Sequence, residues 1–226
     1  LNPSLKPLTF IGIKKIYKTK DPLKFLLLAR SKEKNSDSIY LTTISNQILG
    51  KTLDIKEIIT FDELISTSEA DIKESEIKIN SDVSQAIIDI KEKSYLITFS
   101  TQESLDITES KNEILQKWLL EEEREIENSI NILPKKIQKL IRDKTEIISI
   151  SPDETKILYQ SKENFTLPEI KETKIPVANE KNETRKIETN KIYLYDKKTD
   201  KNFFIDLTKE QIENTVWHPD SLHLVY

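Results

Sequence analysis

His218 and His223 are the only two histidines among 226 residues, and they bracket Asp220 in the stretch His218-Pro219-Asp220-Ser221-Leu222-His223. Imidazole and carboxylate groups are the usual zinc ligands and the usual partners of a catalytic nucleophile. Zinc takes about four ligands at geometric spacing. With no cysteine in the chain, Asp220 is the sole neighbour on offer, and no metal site is expected here. A Ser-His-Asp site would have to use one of these two histidines, and no Gly-x-Ser-x-Gly elbow presents the nucleophile. A glycine-rich phosphate loop is equally absent, since the only glycines are Gly12 and Gly50. Abundant Asp and Glu could supply a glycosidase pair, but no spacing singles out two of them. The residues therefore predict no catalytic group, cofactor or metal.

Charge narrows the partners. Asp+Glu 39 against Lys+Arg 35 gives a well-mixed net charge of -4, the pattern of a solvated surface. Only Arg30, Arg124, Arg142 and Arg185 carry guanidinium groups, and they are scattered, so nucleic acid is not an expected partner. Zero cysteines exclude a disulfide framework and say nothing about compartment. No apolar run approaches the roughly 20 residues of a membrane span, and no signal peptide opens the chain. Methionine is absent, position 1 included, so the sequence reads as a segment of a longer protein. Any membrane anchor would lie upstream of Leu1.

The elements that must position these residues read as strands. Short runs rich in Ile, Leu, Tyr and Phe fall at 24–30, 38–44, 76–80, 85–90, 94–99, 146–150, 156–160, 191–196 and 202–207. The stretch 191–207 alternates large and polar side chains on both sides of its turn, as an antiparallel hairpin with one buried face requires. A turn recurs at 81, 151 and 218: Ser81-Asp82, Ser151-Pro152-Asp153 and His218-Pro219-Asp220. Proline presets the backbone for a tight turn, and the carboxylates of Asp82, Asp153 and Asp220 can accept backbone N–H groups within it. These residues are read as structural. Discounting 109–144, which looks helical, and 163–190, which looks like a polar loop, the copies fall near the roughly 40-residue period of a four-stranded propeller blade. The predicted blades occupy 24–59, 76–107 and 146–207, with a partial one at 213–226 built from strands near 213–217 and 222–226. The first of these lacks the turn motif.

Two insertions interrupt that period. Residues 109–130 predict a helix opened by a Ser110/Glu113 capping box, with Ile114, Leu115, Trp118, Leu119 and Ile126 roughly on one face. Pro134 starts a second helix with Ile137, Leu140 and Ile141 inward. The apolar face of this hairpin either packs on the sheets or binds a partner, with Trp118, Leu115 and Leu119 as the contact. The stretch 163–190 is expected to be a mobile surface loop. Its nominal glycosylation acceptors at Asn164 and Asn182 are given no role.

The stretches "SPDETKILY" and "WHPDSLHLVY" resemble the turns of TolB-like and WD-repeat-like bacterial β-propellers. The opening "NPSLKPLTF", followed by these blades, further resembles PEGA-domain-containing envelope proteins of candidate-phyla bacteria, in which a membrane anchor and a PEGA domain precede such a propeller. That resemblance implies an all-β propeller segment with an inserted helical hairpin. It also implies an extracytoplasmic, membrane-anchored location and a noncatalytic binding or scaffolding role toward a protein or other envelope component. The family's turn ends in glycine, whereas the corresponding positions here hold Ser84, Glu154 and Ser221. Further blades are expected downstream of Tyr226. The alternative is the propeller domain of a larger hydrolase, a peptidase or glycosidase.

Overall fold

The computed structural model describes residues 12–30, 36–47, 50–61, 76–170 and 183–225. Of these, 47% lie in strands and 21% in helices, and three four-stranded antiparallel sheets supply most of the strand content. The chain divides into two compact units, Leu1–Leu119 and Leu120–Tyr226.

In the first unit, β1 (Ile13–Lys18), β2 (Lys24–Arg30), β3 (Asp37–Gln47) and β4 (Gly50–Thr60) form one meander. A second is formed by β5 (Glu76–Ile79), β6 (Gln85–Ile90), β7 (Lys93–Thr98) and β8 (Glu103–Asp106). Side chains alternate across a strand, and here both faces of β2 are covered. Leu26 and Leu28 enter one core, while Leu27 and Ala29 enter another with Tyr40. This accounts for the unbroken apolar run in "KFLLLAR". Ala86, Ile88 and Ile90 of β6 join Leu26, Leu28, Ile39 and Ile58 in a single cluster, so the two sheets pack face to face. Each fully buried Leu or Ile among these contributes about 1.5–3 kcal/mol. Lys56 Nζ donates to the Phe99 carbonyl (3.4 Å) and Gln102 Nε2 to that of Glu57 (2.6 Å), tying the sheets together at their edges.

In the second unit, β9 (Thr145–Ile150), β10 (Lys156–Ser161), β13 (Ile192–Asp196) and β14 (Lys201–Ile205) form the third meander. The predicted hairpin is β13–β14, with Leu194 opposite Phe203. One face of β10, through Ile157 and Tyr159, packs on helices α1 (Lys111–Asn131) and α2 (Lys135–Lys144) by way of Ile130, Leu133, Ile137 and Ile141. Its other face, through Leu158, packs on Trp217 and Leu224 of the last pair, β15 (Val216–Trp217) and β16 (Leu224–Val225). The helical hairpin is fastened by Arg142, which pairs with Glu127 and donates to Asn131 Oδ1 (2.7 Å).

Several boundaries differ from expectation. The first sheet begins at Ile13 instead of residue 24, because β1 is almost wholly exposed and lacks the apolar run that marks its neighbours. Strand β8, exposed along its length, was missed for the same reason. The strand expected near 213–217 is shortened by helix α3 (Lys209–Asn214), whose Thr208 and Gln211 form a reciprocal capping box. The stretch 163–190 is not a loop throughout. Residues 171–182 lie outside the described residues, but its two ends pair as β11 (Phe165–Thr166) and β12 (Lys186–Ile187), and Leu167 and Ile187 are buried in the core.

Those ends are held by a polar network. Arg185 Nη1 lies 3.4 Å from Asp200 Oδ1 and donates to the Pro168 carbonyl (3.2 Å), and its Nη2 donates to the Asp200 carbonyl. Asp200 in turn accepts from Tyr195 Oη (2.8 Å) and from the Ile170 N–H (2.7 Å). Tyr159 Oη donates to Asn202 Oδ1 (2.9 Å), satisfying a hydroxyl with no solvent access. Burial outweighs that hydrogen bond and raises the Tyr159 pKa well above the usual phenol value.

Candidate functional site

The predicted turn residues share one geometry, repeated in three places: 80–85, 151–156 and 218–223. The fourth N–H donates to the first carbonyl: Val83 to Asn80 at 3.2 Å, Glu154 to Ser151 at 2.7 Å, Ser221 to His218 at 3.0 Å. The first N–H donates to the sixth carbonyl at 3.2, 2.9 and 2.9 Å, closing the hairpin. The third residue is the aspartate. One carboxylate oxygen accepts the fifth N–H at 3.0 Å from Ser84 to Asp82, 3.1 Å from Thr155 to Asp153 and 2.8 Å from Leu222 to Asp220. Ser81, Pro152 and Pro219 hold the second place, where a φ near the proline value suits the turn.

The frame corrects one expectation. Aligning the copies on Ser81 put the glycine-like position at Ser84, but the first turn begins at Asn80. Within these three turns the residues with left-handed backbone are Val83 (φ 58), Glu154 (φ 56) and Ser221 (φ 58). None is glycine, and Val83 is β-branched, the type least suited to that region. A related turn went unrecognised in the first sheet. Lys24 N–H donates to the Asp21 carbonyl (3.0 Å) and Leu23 N–H to Asp21 Oδ1 (2.9 Å). The reversed order Asp21-Pro22 hides this turn from a search for Pro-Asp.

Hydrogen bonds favour the ionised form at two of the turn carboxylates, Asp153 and Asp220. Burial pushes the Asp153 carboxyl up, but hydrogen bonds from Ser151 and Thr155 outweigh it and hold the group well below the usual carboxylate range. The Leu222 N–H, followed by the two histidines, does the same for Asp220. Asp106 is lowered to about 2, chiefly by the Thr108 hydroxyl and Lys93. At Asp89, Lys111 and Ser94 overcome burial. A glycosidase general acid needs the opposite shift.

The third turn carries a feature the sequence reading missed. That reading counted Asp220 as a lone neighbour, but the hairpin closure brings the first and sixth residues alongside the third. His218 Nδ1 lies 3.0 Å from Asp220 Oδ2, and His223 Nδ1 lies 2.7 Å from the same oxygen. One ligand atom from each of the three residues falls within 4.8 Å of the others. The signal available was a pair of histidines at the first and sixth places of a turn already recognised elsewhere.

The predicted partner contact is not gathered into a core. On α1, Leu115 and Trp118 are half-buried, while Leu119 and Leu120 are 55% and 54% exposed. Only Ser129 and Ile130 of this helix are fully buried. The apolar face therefore divides: its C-terminal end packs on the third sheet, and its middle stays in contact with solvent. Among the described residues, no helix is long and apolar enough to cross a membrane. Compared with models of known families, with curated proteins and with solved structures, the chain matches none of them.

Proposed function

We propose that this chain is part of a β-propeller serving as a noncatalytic binding or scaffolding module of a bacterial cell-envelope protein, TolB-like or WD-repeat-like in its blades. The observation that carries the reading is the alignment of successive sheets in the second unit. Asp153 N–H donates to Ser221 Oγ (3.1 Å) and Trp217 Nε1 to Ser149 Oγ (3.1 Å), contacts that each link residues 68 positions apart. Equivalent turns standing side by side, one sheet to the next, are what radial repetition of a four-stranded unit produces. A propeller holds loops rigidly around its rim, and recognition is the function such loops serve. The middle of α1, with half-buried Leu115 and Trp118 beside exposed Leu119, is the surface we assign to a protein or other envelope component. An anchor upstream of Leu1 would hold the protein outside the cytoplasmic membrane.

The test uses the protein at its natural length. Deleting 109–144 is a poor probe, because Ile130, Leu133, Ile137 and Ile141 belong to the core of the second unit. The double substitution Leu119→Asp and Leu120→Asp touches only exposed side chains. Envelope material should yield a specific partner that the wild type retains and the double variant loses, with both proteins melting alike. Turnover of peptide, ester or glycoside substrates by the purified protein would overturn the noncatalytic reading.

A further inference from the structure

We propose that His218, Asp220 and His223 form a binding site for one first-row divalent cation, of which zinc is the type.

Asp220 divides its labour. Oδ1 accepts the N–H groups of Leu222 (2.8 Å) and His223 (3.2 Å) and so fixes the carboxylate plane. Oδ2 faces the two imidazoles, leaving it available as a monodentate ligand. His218 Nδ1 lies 3.3 Å from the Asp220 N–H and 3.0 Å from Oδ2, so this one nitrogen is turned toward the aspartate. Each imidazole reaches Oδ2 at hydrogen-bond distance, and a divalent cation would take the place of the protons that these contacts share.

Spacing and chemistry agree. Ligands at about 2.0–2.1 Å from a tetrahedral zinc lie roughly 3.3 Å from one another. The two nitrogen-to-oxygen separations of 3.0 and 2.7 Å need to open by a few tenths of an ångström. The ligand atoms, all within 4.8 Å of one another, need the exposed imidazoles to turn so that the remaining separation closes toward the same value. Two imidazoles and a carboxylate suit zinc and its divalent neighbours, and three protein ligands leave a fourth position for water. The site is at the surface, His223 having 71% of its side chain exposed, so that position is open to solvent.

The equivalent places in the other copies show what the turn itself requires. They hold Asn80 and Gln85 in one, Ser151 and Lys156 in the other, and both turns close without an imidazole. The hairpin does not need histidine at either position. Yet the chain places its only two histidines there, on either side of the aspartate.

The experiment is calorimetric titration of zinc into chelator-treated, dialysed protein, with histidine side-chain NMR spectra recorded alongside. The expected result is one equivalent bound, both imidazoles shifting together at that equivalence. His223→Gln should weaken binding by at least about tenfold while melting like the wild type in chelator. Cobalt(II) should give a visible absorption band that the variant lacks. The proposal is overturned if the wild type takes up no zinc, if zinc binds without moving both imidazoles, or if His223→Gln binds as tightly as the wild type. The NMR outcome stands even should the variant fold poorly.

Discussion

Glu154 and Val83 occupy the same place in two copies of one turn, with φ of 56 and 58, yet glycine should act on them in opposite directions. A left-handed backbone costs an L-residue about 1–2 kcal/mol, and replacing it with glycine removes that strain. The same change raises the entropy of the unfolded chain by about 0.5–1 kcal/mol. Glu154 is exposed and buries nothing in exchange. Its attraction for Lys197 is a surface term of about 0.5 kcal/mol or less. Glu154→Gly should therefore stabilise the second unit by about 0.5 kcal/mol, raising its melting temperature by roughly 2–4 °C. Val83 is 4% exposed and belongs to the core between the first two sheets. Losing that burial, at about 1.5–3 kcal/mol before any cavity term, exceeds the relief, so Val83→Gly should destabilise by about 1–2 kcal/mol. Urea unfolding followed by far-UV circular dichroism measures both. A lower midpoint for Glu154→Gly, or a higher one for Val83→Gly, would refute the assignment of strain to these positions.

Two further outcomes test other parts of the fold. Because Asp153 has its pKa lowered on folding, its stabilising contribution is present above the unfolded value near 4 and is lost as pH falls through the folded value. The wild-type urea midpoint should thus drop below about pH 4, and Asp153→Asn should show a shallower drop. Arg185→Met removes the guanidinium beside Asp200, which is 4% exposed, and should destabilise by up to about 3–5 kcal/mol. Adding Asp200→Asn should recover part of that loss, and equal stability of Arg185→Met and wild type would remove the network from the account.

The strands with continuous or alternating apolar residues were legible because their burial is written in their composition: β2, β6, β10 and the β13–β14 hairpin all lie where the pattern puts them. Strands β1 and β8 were not, because a strand at the exposed edge of a sheet is held by backbone hydrogen bonds, which leave little mark on side-chain choice. In the same way, helix α2 was read from Pro134, Ile137, Leu140 and Ile141, whereas α1 divides between core and solvent in a way periodicity cannot express.

By itself the sequence determined the class, a mostly β chain of repeated sheets with a helical hairpin, and it located the aspartates that build the turns. Those features follow from local propensity and from the period of apolar residues, which short stretches of chain contain in full. Only the tertiary structure decided that Val83, not Ser84, takes the left-handed place, that Arg185 reaches Asp200 to pin both ends of an insertion, and that two histidines five positions apart meet on one carboxylate oxygen. Each of these depends on which backbone groups pair across a hairpin or a sheet, and a shift of one residue in that pairing sends a side chain to the opposite face.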